Sequence, residues 1–277
     1  MDQGSHLNHT LHDASAGSAA ALFVLFVVLP LILLAAYVVA ARRERKAANW
    51  CAWRIASFAL GIGLVITAMA PPISNWAHGD LRGHMVQHLL LGMFAPLALA
   101  LAAPGTLLLR NVSVSNARSI VAFLDTAPMR ILTHPIVAAL LGIGGMYVPY
   151  LTPLFSVSMN CPIAHVLLHV HFLVSGYLFT WSIAGPDPAP HRPGMRMRLA
   201  VLFLATAAHS ILGKLMYGYG FPRGAMADVG EVRAAAQWMY YGGDLAELLL
   251  AVAFFALWFR RRSGLPDFLS GRVHSPT

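Results

Sequence analysis

Charge is what this sequence has least of. Only 11% of its 277 residues are Asp, Glu, Lys or Arg, against about 25% in ordinary soluble domains, while 58% are hydrophobic and the mean hydropathy is +0.65. That excludes a soluble globular class and leaves a polytopic membrane protein. The charge that remains is basic, +8 net with a pI near 10, but the arginines form short clusters beside apolar runs, a footprint of membrane topology and not of a nucleic-acid partner. Lys and Arg are missing from residues 1–17, so the basic leading region of a cleavable signal peptide is absent. The apolar run that follows is too long for such a peptide's core and reads as a retained first span. Cysteine is scarce too. Cys51 and Cys161 fall at opposite faces of the topology below, which excludes a bridge within one chain and leaves the redox compartment open. No internal repeat and no long linker divides the chain, so a single bundle is expected.

What is present is a series of apolar stretches. A span needs ~20 mainly apolar residues, and seven stretches qualify: 19–41, 54–70, 83–102, 134–150, 162–184, 198–218 and 237–259. The fold class is therefore all-α, a seven-transmembrane-helix bundle over 19–259, with a histidine-containing arm over 1–18 and a basic tail over 260–277. The fourth stretch is short and carries Gly142, Gly144 and Gly145, small residues that suit close helix packing. Fifteen of the nineteen basic residues fall on one side, in the first, third and fifth loops and the tail. The positive-inside rule puts that side in the cytoplasm, the N-terminus in the periplasm and the C-terminus inside. Within the longest loop, 103–133, Asn111-Val112-Ser113 offers a cap for an interfacial helix, and Gly185-Pro186-Asp187-Pro188 is stiff turn material.

Polar side chains inside spans are costly, so each is a candidate functional group. His84 and His88 lie four apart near the mouth of the third span, and His165 and His169 repeat that spacing in the fifth. Residues four apart share a helix face, so each pair presents two imidazoles together. His209 in the sixth span, and Asp244 and Glu247 in the seventh with Tyr240 on the same side, fall roughly 10–15 Å below the same face by helical rise. Paired imidazoles suit copper, zinc or iron, and Met85, Met159 and Cys161 add softer donors that favour monovalent copper. Asp244 and Glu247 could orient the imidazoles. His78, in what reads as a short external loop, is an accessory ligand candidate, and His6, His9 and His12 on the N-terminal arm could capture metal. Lys214 either balances an acidic group or snorkels to the surface. The alternative for any single histidine is a hydrogen bond to a carbonyl across helices. His171 points away from the pairs, and His134 and His191 read as structural.

The motifs, in order, resemble a known family. They are His84-Met85-Val86-Gln87-His88-Leu89-Leu90-Leu91, Ala95-Pro96, Ala103-Pro104-Gly105, His165-Val166-Leu167-Leu168-His169 with Phe172 and Gly176, Gly185-Pro186-Asp187-Pro188, and Gly242-Gly243-Asp244-Leu245-Ala246-Glu247. This set is similar to the polytopic CtaG family of cytochrome c oxidase assembly factors, and not to the single-span copper chaperone of the same name, whose cysteine motif has no counterpart here. The resemblance implies a seven-span protein of the bacterial inner membrane that matures haem-copper oxidase by supplying copper, with His84, His88, His165 and His169 as its metal-binding residues and Glu247 beside them. It implies oxidase subunits, the lipid bilayer and other copper chaperones as partners, and no catalytic turnover. The last motif is more acidic than the family pattern. Two other classes stay open on the residues alone. A seven-span zinc hydrolase would use three of the four histidines and an open position. A haem protein would ligate iron by two histidines, for instance His88 and His169.

Overall fold

The computed structural model describes residues 24–48, 50–189, 191–223 and 227–263. The N-terminal arm with His6, His9 and His12, and most of the basic tail, lie outside the described residues. Every regular element among those described is helical. The first span, α1 (Leu29–Ala48), continues a π-helical turn over Val24–Val28, and α2 (Ala52–Met69) returns beside it. The two are tied to the third span by polar clips, from the Tyr37 hydroxyl to the Ala102 carbonyl (2.8 Å) and from the Ser57 hydroxyl to the Ala98 carbonyl (2.6 Å). Tyr37 stacks on Phe58, ring centroids 4.0 Å apart.

The stretch around His78, expected as a loop, is instead the short helix α3 (Pro71–Gly79). Pro71 opens it, where a missing N–H costs nothing. The third span is α4 (Leu81–Leu101), interrupted by a π-helical segment at Leu90–Phe94, just before Pro96. Proline has no N–H to donate to the preceding turn, so the ladder there widens. The long loop folds into α5 (Pro104–Asn111), α6 (Val114–Leu124) and α7 (Ala127–Leu132), with Ser113 capping α6 through the Asn116 amide (3.3 Å).

The fourth span departs from a simple crossing. Helix α8 (Pro135–Leu151) breaks at Thr152-Pro153 and the chain turns by 85° into α9 (Leu154–Asn160). The remaining spans are α10 (Pro162–Ala184), α11 (Met195–Tyr219) and α12 (Val229–Arg262). Among the described residues six helices are long and apolar enough to cross a membrane alone, and α8 with α9 makes a seventh only as a bent pair. Of the glycines of α8, Gly145 is the one that lets a neighbour pack closely: a Cβ there would lie 2.0 Å from His171 Nε2, so the ring occupies the space a side chain would need. His171 in turn meets the Leu141 carbonyl at 3.1 Å. Gly176 brings α10 against α4 in the same way, with the Gly92 carbonyl oxygen 2.0 Å from where its Cβ would be. The largest apolar cluster, including Met85, Met146, Tyr150, Phe155, Phe172, Leu212 and Met239, surrounds the histidine-bearing end of α4.

Candidate functional site

The start of α4 is held from two sides. Asp80 caps it by accepting from the Arg82 amide (2.8 Å), and the Arg82 guanidinium that grips the carboxylate holds its pKa down at about 2. Glu231, in the first turn of α12, accepts from the Leu81 amide at 2.6 Å. These carboxylates satisfy amides that a helix start otherwise leaves orphaned. Residues His84 and His88 therefore hang from a fixed turn.

His84 is the hub. Its ring centroid lies 6.3 Å from His165 and 6.2 Å from His169, and the two α10 rings are 4.3 Å apart. His78 reaches the group from α3, 4.9 Å from His165, with its Nδ1 at 2.7 Å from the Ser74 carbonyl. His169 Nδ1 meets the His165 carbonyl at 2.8 Å, which orients that ring from its own helix. His88 does not join them. One turn further in, it sits against Phe172 (4.4 Å), and the ring of Tyr150 stands about equally far from it (6.0 Å) and from His84 (6.1 Å). The expected set of four thus divides into an outer trio with His78 beside it, and a separate His88.

Several buried ring nitrogens here are not paired. Both nitrogens of His84, both of His88 and Nε2 of His165 have no hydrogen-bond partner, although the three side chains are 1%, 2% and 9% exposed. Buried imidazole nitrogens normally find a partner, and leaving one unmet costs about 1–3 kcal/mol. Among the described residues no three His, Cys, Asp or Glu side chains are posed together to enclose one ion, so the arrangement is a set of pairs. A pocket of about 240 Å³ leads from the surface to His84, bordered by His78, Asp80, Met159, Asn160 and Glu231. Helix α9 forms one wall through Phe155 and Ser156.

The other candidates fall in three places. Met85 is fully buried in the apolar core, and Met159 lies at the pocket wall. His209 is fully buried beside Glu247, Nδ1 to Oε1 3.6 Å, and Glu247 also borders a cavity of about 40 Å³ that His88 shares. Asp244 is half-buried and accepts from the Ser210 hydroxyl (3.1 Å), so its bond goes to α11. Tyr240 stands apart from the histidines, although its angular position matches Glu247: two turns nearer the helix start, α12 faces Gly213 and Lys214 of α11. Lys214 is exposed, its Nζ 5.6 Å from the Tyr240 ring. His134 caps α8 and His191 pairs with Asp125 (2.7 Å). Sequence reasoning missed the ring of Tyr150, which faces both His84 and His88, and that of Phe155, which packs on His84, because these come from α8 and α9. It also missed the role of Gly243: a Cβ there would lie 1.9 Å from His209 Cε1. A glycine pair ahead of an acidic residue inside a span was the signal.

A bundle of apolar helices enclosing unpaired imidazoles near one end defines a multi-pass membrane protein with a polar site set into its core. Residues 35–261 match the cytochrome c oxidase caa3 assembly factor family, and the chain belongs to it. Among similar proteins, an uncharacterized protein of Mycobacterium leprae is 29% identical over 185 residues, 64% of this chain and 28% of its own length. An uncharacterized protein of Mycobacterium bovis and one of Mycobacterium tuberculosis are each 31% identical over 177 residues, 61% of this chain and 27% of their own. The chain matches little more than a quarter of the length of these relatives. No solved structure matches it.

Proposed function

We propose that this protein matures a cytochrome c oxidase in the bacterial inner membrane by taking up a copper ion at the His84–His165–His169 cluster and releasing it to an oxidase subunit docked in the bilayer. The histidine end faces the periplasm, and the arginine-rich end the cytoplasm. The observation that carries the reading is that three buried imidazole nitrogens of this cluster, both of His84 and Nε2 of His165, have no partner. A neutral imidazole with both nitrogens free gives up no hydrogen bond when its ring turns, so His84 can swing toward His165 at little cost. An ion in the pocket that leads to it has Met159, His78 and His84 on the walls. Soft sulfur with nitrogen suits monovalent copper. The pairs are loose, and a loose site releases what it takes up. Delivery needs ligand exchange and no catalytic turnover.

The test is element-resolved metal analysis, with an absorption spectrum, on purified wild-type protein and on the His84→Ala/His165→Ala variant. Copper in the wild type and its loss from the variant is the expected outcome. Equal, negligible copper in both would overturn direct binding and leave a scaffold role in oxidase assembly. Zinc with hydrolytic activity, or a Soret band, would overturn the copper reading in favour of an enzyme or a haem protein.

A further inference from the structure

We propose that the groove between α11 and α12, at the histidine end of the bundle, seats an anionic phospholipid with its phosphate at Lys214 and its chains running down α12. The groove has a volume of about 360 Å³ and is lined by Lys214 and Tyr217 of α11 and by Gln237, Tyr240 and Tyr241 of α12. That is the size of a small-molecule site. Only these two helices border it, so its remaining side opens on lipid. No histidine lines it, and the inference is independent of copper.

Helical rise sets the depth of the groove. From Arg260 to Tyr240 α12 rises ~30 Å, and from Arg196 to Lys214 α11 rises ~27 Å. The hydrocarbon core is about 30 Å thick, and the arginines mark its far edge. The groove therefore lies where acyl chains give way to headgroups. Gln237 and Arg233 continue along the same face of α12, ~5 Å and ~11 Å beyond Tyr240, and so span a headgroup layer about 5–8 Å deep. In the other direction Tyr241, Leu245 and Leu248 share one face of α12 and are 68%, 52% and 60% exposed, a track for an acyl chain.

Charge selects the headgroup. Lys214 Nζ lies 5.6 Å from the Tyr240 ring centroid and the Arg233 guanidinium 5.4 Å from that of Tyr217, so each cation is held over an aromatic wall of the groove. Among the described residues neither enters an ion pair. The acidic groups nearby on α12 are turned elsewhere: Asp244 to the Ser210 hydroxyl, Asp228 to the Glu231 amide and Glu231 to the Leu81 amide. Of the four basic residues at the histidine end, Arg82 grips Asp80, and Lys214, Arg223 and Arg233 all belong to α11, α12 or the turn between them. A phosphodiester without a cation of its own answers this charge, whereas a choline headgroup brings its own. The Gln237 amide and the tyrosine hydroxyls add donors for phosphate and glycerol oxygens.

Native mass spectrometry of the detergent-purified protein tests this, with phosphatidylglycerol and phosphatidylcholine of identical chains as probes. Lys214 is exposed, so Lys214→Gln should leave the fold intact, which gel filtration checks. The expected result is one phosphatidylglycerol retained per wild-type chain in preference to phosphatidylcholine. Its binding should weaken about fivefold in Lys214→Gln and return in Lys214→Arg. Arg118 is exposed on α6 at the other end, and Arg118→Gln should change nothing. Inorganic phosphate at millimolar concentration should not displace the lipid. Phosphatidylglycerol binding equal in wild type and Lys214→Gln, a matching loss in Arg118→Gln, or no preference over phosphatidylcholine overturns the inference. Displacement by inorganic phosphate overturns the lipid as occupant, and no retained lipid at all overturns the proposal and leaves the groove to a protein partner.

Discussion

Gly243 and Gly176 are occupied, in effect, by their neighbours: one by the His209 ring, the other by the carbonyl of Gly92. Gly176→Ala should therefore push α10 off α4 and cost about 1–3 kcal/mol, as overpacking does. Gly142 has nothing within 4 Å of its would-be Cβ, so Gly142→Ala should change stability by less than about 1 kcal/mol. Thermal unfolding of the detergent-solubilised variants compares them directly; equal midpoints would show that the close approach is easily relaxed. The imidazoles pose a different question. Their grouping was partly legible from sequence, because a four-residue repeat puts His165 and His169 on one face of a helix. The separate place of His88 was not legible, since its ring neighbours are Tyr150 of α8 and Phe172 of α10. At the rim, Asp80 responds to pH. Its carboxyl is drawn from 3.8 down to about 2 by Arg82, so its cap is fully present above the ordinary carboxylate range and is lost as pH falls through about 2. Acidification from pH 5 toward 2 should lower the protection of the amides in the first turn of α4, measured as exchange relative to the free-amide rate at each pH, and Asp80→Ala should lower it already at neutral pH.

The elements are joined by clips that a linear reading divides. Asp187, in the proline-rich turn after α10, is 3% exposed and accepts from the Gly105 amide (3.0 Å), the Thr106 amide (2.6 Å) and the Thr106 hydroxyl (2.6 Å). Two motifs about eighty residues apart thus lock together, the carboxylate closing the start of α5. Arg192 secures the other side of the turn, donating to the Gly185, Trp181 and Asp187 carbonyls. A preceding residue, Ala103, takes a left-handed conformation (φ 55°) that a non-glycine residue adopts at some cost, and the clip holds it there. Asp187→Ala should lose about 1–3 kcal/mol by leaving buried donors unmet. A thermal midpoint unchanged from wild type would show that the carboxylate is idle. From the sequence this turn looked like stiff connecting material. Its burial could not be read there, because the partner amides belong to α5. Helix boundaries were legible within a few residues for α2, α4, α10 and α11, where long apolar runs decide them. The bend after α8 was not, for Thr152-Pro153 lies between two segments that are each apolar.

For the whole molecule the open quantity is direction, and the two native cysteines report it. Cys51 precedes α2 at the arginine-rich end, Cys161 precedes α10 at the histidine end, and both are partly exposed. A membrane-impermeant maleimide applied to intact spheroplasts should label Cys161, and Cys51 only after permeabilisation; the reverse pattern would invert the orientation. On the proposed copper uptake, the elbow between α8 and α9 bears on the route of entry. Seventeen residues give α8 a length of ~25 Å, short of the ~30 Å hydrocarbon thickness, and α9 then runs nearly crosswise. A shorter apolar belt makes the surrounding lipid thin locally to match it. On this flank such thinning would bring headgroups and water toward Phe155 and the pocket beside His84. It would make the hydrocarbon barrier lowest beside the imidazoles. In liposomes of increasing acyl length, copper loading from outside should slow as the lipids resist that dimple, and a rate independent of chain length would mean that ions arrive by another route.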